Sequence, residues 1–194
     1  MAEHAYDGQL PFAGTAAPSY DSWKLVLLED AVAHGAQCLD GSAAGYYVER
    51  GSARGVFLHL QGGGWCTSLE DCASRVKTAL GSSATYGNGR DSILNSYDGG
   101  AHGLFSNATN VNPQFYNLTK VYVRYCDGGS YSGDTMATSP DGSPLHFRGR
   151  RILDAVLDAL VNKERLTTVI CSLPMGALPA ALRSGCTSTT CATT

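Results

Sequence analysis

Three consecutive glycines, Gly62, Gly63 and Gly64, follow the apolar run VFLHLQ and precede Trp65. Because glycine disfavours regular strands and helices, three in a row directly after a strand predict a backbone that another group approaches closely. The segment has neither the Gly-Lys-Ser/Thr ending of a phosphate loop nor the G-x-G-x-x-G spacing of a dinucleotide site. It fits a loop whose bare N–H groups stabilise the negative oxygen that develops during acyl transfer. A plain glycine-rich turn is the alternative, and the glycines alone leave both interpretations open.

Strands and helices alternate around these glycines. Apolar and β-branched runs predict strands within residues 41–52, 55–61, 119–126 and 166–171, and apolar periodicity predicts helices over 68–81 and 147–163. The run WKLVLLEDAVAHGAQC is compatible with a strand and a loop or with a short helix. The alternation predicts an α/β fold, a mostly parallel sheet with flanking helices. Residues 1–23 have a loop-like composition, and we expect one domain over 24–172.

The length, net charge and hydropathy of the chain exclude several classes of function. The chain has 194 residues, which suits one domain, and a formal net charge of -3 without a basic run, so nucleic acid is not an expected partner. No apolar run approaches the roughly 18 residues of a membrane span. The N-terminus lacks the basic and then apolar pattern of a signal peptide.

The cysteines and two tripeptides indicate a secretory origin. The chain has seven cysteines and no C-x-x-C spacing, which favours disulfides in an oxidising compartment over a zinc site. Asn107 in NAT and Asn117 in NLT have the form of glycosylation acceptors. We therefore expect a secreted, extracellular or cell-wall protein whose N-terminus is incomplete in this chain.

Several motifs together resemble the pectin acetylesterase family, which includes the Notum deacylases. They are CLDGS, GYY, GGGWC, RYCDG and FRG, and the similarity runs from about Lys24 to Ile170 in the same order and at similar spacing. The resemblance implies an α/β-hydrolase fold and a secreted carboxylic ester hydrolase with a Ser-His-Asp triad. It implies no metal and no organic cofactor.

The resemblance also assigns residues near the glycines. Gly62, Gly63 and Gly64 with Trp65 match the oxyanion-hole loop of the family. The implied disulfides are Cys66–Cys72, which would brace this loop, and Cys38–Cys126. Buried free thiols are the alternative for these four cysteines.

Serines and histidines elsewhere match no catalytic position. The loop from Asp127 to Asp134 is expected beside the site, with Ser130 and Ser132 as loop residues and not as nucleophiles. His59 lies inside a strand and is expected to be a packed side chain. No recognisable context surrounds His102 or His146.

The nucleophile of the family is missing. Its Gly-Cys-Ser-Ala-Gly-Gly elbow would follow the strand that reads TTVICS here, yet the chain has no such elbow and no G-x-S-x-G. The family's acid and histidine lie later still, beyond residue 194. Ser172 aligns just before the elbow, so no catalytic residue is assigned.

The tail, residues 173–194, differs in composition from the rest and contains no Asp or Glu. Read in a shifted frame, the codons of residues 175–181 permit Gly-Cys-Ser-Ala-Gly-Gly. A frame change between about Ile170 and Met175 would explain the missing elbow and the three unassigned cysteines, Cys171, Cys186 and Cys191. A true lineage-specific end is the alternative.

Two functional hypotheses follow. The complete protein is expected to be a secreted serine carboxylesterase that removes acetyl groups from pectin or a related polysaccharide, with a Notum-like acyl ester on a protein as the alternative substrate. As written, the chain lacks its triad and is expected to be an inactive, monomeric remnant or a carbohydrate-binding module.

Overall fold

A computed structural model describes residues 23–53, 55–87 and 103–162, together with the backbone of three short strands after residue 167. The strands are β1 Lys24–Leu27, β2 Gly45–Glu49, β3 Val56–Leu60, β4 Thr119–Val123, β5 Thr135–Thr138, β6 Pro144–Phe147, β7 Thr168–Ser172, β8 Cys186–Thr187 and β9 Thr190–Ala192. The α-helices are α1 Leu69–Arg75 and α2 Gly149–Asn162, and 3-10 helices span Glu29–His34 and Gly103–Phe105.

Seven strands form the main sheet in the order β1-β2-β4-β3-β7-β9-β8. Only β3 pairs in parallel, with β4 on one side and β7 on the other, and all other neighbours are antiparallel. The α/β content is as expected, but the mostly parallel sheet is not confirmed. The two residues between β8 and β9 allow only antiparallel pairing of these two strands.

Both faces of the central strands are covered. Side chains alternate along a strand with period two, so successive residues face opposite layers. One face presents aliphatic side chains from β3 and β4 to α2: Val56, Leu58, Leu60, Val121 and Val123. The opposite face carries an aromatic cluster: Trp23, Tyr47, Phe57, Phe105 and Tyr122. These two layers hold the ends of β3 and β4 in fixed positions.

Helix α2 confirms the clearest helical prediction of the sequence. Its buried stripe recurs at three- and four-residue intervals and consists of Ile152, Leu153, Val156, Ala159 and Leu160. This stripe packs on the aliphatic face of the sheet. The polar side of the helix carries an exposed ion pair between Arg150 and Asp154, 2.9 Å apart.

Helix α1 begins where the sequence predicts and ends earlier. Ser68 caps it by accepting a hydrogen bond from the Asp71 amide at 3.2 Å. The predicted end at Gly81 is wrong, because the helix stops at Arg75 and the chain turns back. A Cβ at Gly81 would lie 2.5 Å from the Arg75 carbonyl, so the turn requires close backbone contact.

Two other segments differ from or refine the prediction. The ambiguous run after Trp23 contains both a strand, β1, and a 3-10 helix. The hairpin β5–β6 was not predicted, since its strands are largely exposed and show no apolar alternation.

Candidate functional site

The glycine loop, residues 62–65, leaves the carboxyl end of β3 between its two parallel neighbours. Strand β7 is in register with β3 so that Ser172 lies opposite His59, two residues before Gln61. Strand β4 ends at Val123, opposite Leu60. The carboxyl ends of three strands therefore meet at one edge, which is the edge where sites form in parallel α/β sheets.

The loop needs glycine for two different reasons. A Cβ at Gly63 would lie 2.5 Å from Cδ1 of Tyr125 and 2.8 Å from Cδ2 of Leu80, so this position is packed. Gly64 has φ +71° and no atom within 4 Å of a built Cβ, so it faces open space in a left-handed conformation.

Arg75, the last residue of α1, contacts three consecutive carbonyls of the loop. Its Nη1 donates to the oxygens of Gly63 at 3.3 Å and Gly64 at 2.7 Å, and its Nη2 donates to that of Trp65 at 2.8 Å. The next amide, that of Cys66, donates to Gly128 O at 3.2 Å. In the described part of the chain, the amides of Gly64 and Trp65 have no hydrogen-bond partner.

A second loop supports the first from the end of β4. The Tyr125 hydroxyl donates to Gly64 O at 3.0 Å and accepts from the Ser130 amide at 3.2 Å. The indole N–H of Trp65 donates to Ser130 Oγ, while the ring is 69% exposed. The Tyr131 hydroxyl lies 3.1 Å from both Gln61 O and Val123 O, and its one proton is shared between these carbonyls at the ends of β3 and β4. The indole is thus tethered at its edge and open to solvent.

Asp127 organises this second loop. Its side chain is fully buried, and Oδ2 accepts hydrogen bonds from the amides of Gly129 at 3.1 Å and Tyr131 at 3.0 Å. Burial raises the pKa of the carboxyl to about 6, and the two amides oppose that shift. The bonds hold Ser130 and Tyr131 at positive φ, 54° and 59°, which is uncommon for residues other than glycine.

Both disulfides implied by the resemblance are present. Cys66 and Cys72 close a short loop that ties the glycine segment to α1, with Cα atoms 5.1 Å apart. Cys38 and Cys126 join the CLDGS segment to the end of β4, with Cα atoms 4.9 Å apart. Both therefore lie near the glycine loop.

The other predicted residues lie as follows. Ser132 Oγ donates to Gly129 O at 2.6 Å within its own loop. His59 stacks on Tyr122 with centroids 5.3 Å apart, which makes it a packed side chain. His146 is half-buried in β6. His102 lies outside the described residues.

The two glycosylation candidates lie near the amino end of β4, since Asn107 bonds to Lys120 and Asn117 is two residues before the strand. Their modification stays a prediction. The Asn107 amide nitrogen, to which a glycan would be attached, donates to Glu49 Oε1 at 3.0 Å. Asn117 is half-buried, and its carbonyl accepts from the Ala53 amide at 3.0 Å.

Within the described ranges, no group of three or more His, Cys, Asp or Glu side chains could hold a metal ion. None of the helices that the structure describes is long and apolar enough to cross a membrane.

Sequence reasoning missed Arg75 and Tyr125. Arg75 is three residues after Cys72, and a disulfide that ties α1 to the loop places this end of the helix near the glycines. That spacing is the signal that could have identified it. No local signal marks Tyr125, since the direction of its hydroxyl depends on the sheet.

The fold and site define a mixed α/β protein in which a glycine loop offers backbone amides at the carboxyl ends of parallel strands. The chain belongs to the pectinacetylesterase family, whose model matches residues 16–176. It is 40% identical over 164 residues to pectin acetylesterase 11 of Arabidopsis thaliana, covering 81% of this chain and 39% of that protein. It is 38% identical to pectin acetylesterase 7 of the same plant, with the same two coverages.

A second group of relatives acts on proteins according to its name. The palmitoleoyl-protein carboxylesterase NOTUM of Schmidtea mediterranea is 30% identical over 138 residues, covering 69% of this chain and 24% of that protein. The chain thus spans about two fifths of the length of the pectin acetylesterases named above, and a smaller share of NOTUM.

Proposed function

We propose that this chain is the N-terminal part of a secreted serine ester hydrolase that removes acetyl groups from pectin or a related cell-wall polysaccharide. In that enzyme residues 62–65 form the oxyanion-hole loop of an α/β-hydrolase fold. The observation that carries the proposal is the pair of amides, Gly64 and Trp65, that have no partner in the described part of the chain. Such donors stabilise the tetrahedral intermediate of ester hydrolysis because they need not reorganise as charge develops.

The position of β7 supports the same proposal. A serine nucleophile must lie within reach of the amides that hold the oxyanion. Strand β7 runs parallel to β3 and ends at Ser172 on the edge where the glycine loop begins. Neighbouring strands are about 4.8 Å apart, so an elbow directly after β7 would be adjacent to the loop.

An acetylated polysaccharide is favoured over an acylated protein as the substrate. Identity to the pectin acetylesterases reaches 40% over 81% of the chain, against 30% over 69% for NOTUM. Two disulfides fit an oxidising, extracellular compartment. We expect a monomer that acts without a cofactor.

The chain as written is proposed to be inactive, since no residue matches the nucleophile, the acid or the histidine of a triad. We also propose that residues 173–194 are read out of frame. The family match ends at residue 176, close to the change in composition, which supports this proposal. The three unassigned cysteines, Cys171, Cys186 and Cys191, would then have no role as thiols.

The test is release of acetate from acetylated homogalacturonan. We would compare the 194-residue chain with the protein translated from a transcript that carries an in-frame elbow. The longer protein is expected to release acetate and to lose this activity with a serine-directed inhibitor, whereas the 194-residue chain releases none. The proposal is wrong if the longer protein releases no acetate, and its inactive-chain part is wrong if the short chain shows inhibitor-sensitive turnover.

A further inference from the structure

Arg75 connects the end of α1 to the glycine loop. Its guanidinium donates to three consecutive carbonyls, those of Gly63, Gly64 and Trp65. We propose that Arg75 is the positioning residue of the oxyanion hole, which aims the Gly64 and Trp65 amides at one anionic oxygen. This inference rests on the proposed function of the glycine loop.

Peptide geometry links the Arg75 contacts to the direction of the loop amides. A trans peptide is planar, so its N–H points away from its C=O, and the described chain contains no cis peptide. A carbonyl that faces Arg75 therefore turns the following N–H away from Arg75. The Gly63 and Gly64 carbonyls thus direct the N–H groups of Gly64 and Trp65 to the opposite side of the loop, where no described acceptor meets them.

The glycines of the loop need a restraint on the orientation of their peptide planes. A peptide plane between two glycines rotates more easily than any other, because no Cβ restricts φ and ψ. Gly64 has no atom within 4 Å of a built Cβ, so packing does not fix it. Hydrogen bonds from a charged donor are stronger than neutral ones and supply the missing restraint.

The Arg75 side chain, which we call the clamp, is itself anchored beside the glycine loop. Asp71 lies 3.7 Å from Arg75 Nε and accepts a hydrogen bond from the Thr67 amide at 3.0 Å. The disulfide Cys66–Cys72 joins the loop to the same helix. Arg75 is only 16% exposed, and its planar fork spans several acceptors at once, which a lysine ammonium cannot match.

Electrostatics adds to the geometry. A cation bound to the carbonyl side of a peptide polarises it, and hydrogen bonds in a chain strengthen one another. The Gly64 and Trp65 N–H groups should therefore be stronger donors with Arg75 than without it. The expected result is tighter binding of a tetrahedral anion that resembles the intermediate of acetyl transfer.

The experiment titrates the 194-residue chain with methylphosphonate and follows the Gly64 and Trp65 amide resonances by NMR. The variants are Arg75→Gln, Arg75→Lys and, as a matched control, Arg151→Gln. Arg151 also donates to a backbone carbonyl, that of His34 at 3.0 Å, and bonds to Asp134, but it lies on α2. The Cys66 and Thr67 resonances report whether the loop remains tethered.

We expect saturable shifts of both amides in the wild-type chain and in Arg151→Gln. Affinity should fall at least tenfold in Arg75→Gln and by an intermediate factor in Arg75→Lys, with the Cys66 and Thr67 resonances in place. If the Cys66 and Thr67 resonances show that Arg75→Gln releases the loop, the Arg75→Lys variant becomes the test. The proposal is overturned if Arg75→Lys then binds methylphosphonate as weakly as Arg75→Gln does. Affinity within twofold of wild type in Arg75→Gln also overturns it.

Failure of the proposed function gives a different result. If the wild-type chain shows no response at Gly64 and Trp65, the loop does not bind an oxyanion, and both proposals are wrong. If the wild-type chain responds and Arg75→Gln responds equally, only the role of Arg75 is wrong.

Discussion

The polar groups at the two ends of strand β4 differ in their hydrogen bonding. At its amino end, Lys120 and Glu49 are buried as an ion pair, 3.6 Å apart, and Asn107 bonds to both. Lys120 Nζ also donates to Tyr116 O at 3.0 Å. We call this group, Glu49, Asn107, Tyr116 and Lys120, the closed end.

The carboxyl end of β4 lies beside the glycine loop, and we call this side the open end. Here the Gly64 and Trp65 amides have no partner among the described residues, and both residues are exposed, so solvent or a ligand can reach these donors. This difference supports our proposals that the closed end serves stability and that the open end receives a ligand.

The largest expected effect is at the closed end. Lys120→Met would remove the Lys120 cation from the buried Glu49 carboxylate, and breaking a buried pair costs about 3–5 kcal/mol. Urea unfolding should show this loss, while the double variant Glu49→Leu/Lys120→Met should recover most of it. A loss below about 1 kcal/mol in the single variant would mean that the pair behaves as a surface salt bridge and that this end is not closed.

The second prediction concerns pH at the open end. Burial raises the pKa of Asp127 to about 6 in the folded protein, from 3.8. A raised pKa means that the folded state binds the proton more tightly, so this residue's contribution to stability is present below pH 3.8 and is lost as pH rises through 6.

The measurement compares wild type with Asp127→Asn. Relative to this variant, the wild-type free energy of unfolding should rise by about 2–3 kcal/mol when pH falls from 7.5 to 4. Urea unfolding at both pH values measures it. Equal pH profiles, or a wild-type protein that gains relative stability as pH rises, would show that the carboxyl is not desolvated.

The smallest effect compares one glycine at each end. A Cβ at Gly51 would lie 2.2 Å from Asn117 O, a backbone atom that cannot move aside, so Gly51→Ala should cost about 1–3 kcal/mol. Gly64→Ala meets no atom within 4 Å and has only its positive φ to overcome, about 1 kcal/mol. Thermal unfolding of both variants measures the order, and a larger loss at Gly64 would contradict the assignment of open space there.

Much of the fold follows from local sequence patterns. The apolar stripe of α2 and the buried runs of β2, β3 and β4 carry their own periodicity, so they could be predicted. The end of α1 could not, because the turn after Arg75 depends on contact with Gly81. The strands of the hairpin β5–β6 show no regular apolar alternation, yet the Pro140–Asp141–Gly142 turn between them was a usable signal.

The site could be predicted only where its backbone demands glycine. Consecutive glycines after a strand are visible in the sequence, and so is the Cys66–Cys72 spacing. The clamp from Arg75 and the support from Tyr125 depend on side chains that meet only after the sheet and α1 have packed. Long-range hydrogen bonds of this kind leave no periodic pattern.

The central claim is that the open end is one half of an esterase site whose nucleophile is encoded in another frame. Sequencing the transcript across the codons for residues 165–194 and beyond tests it most directly. The account predicts an in-frame Gly-Cys-Ser-Ala-Gly-Gly shortly after Ile170, followed by a later aspartate and histidine. Confirmation of the printed frame through Thr194 and a stop would contradict it, because the amides of Gly64 and Trp65 would then have no nucleophile to serve.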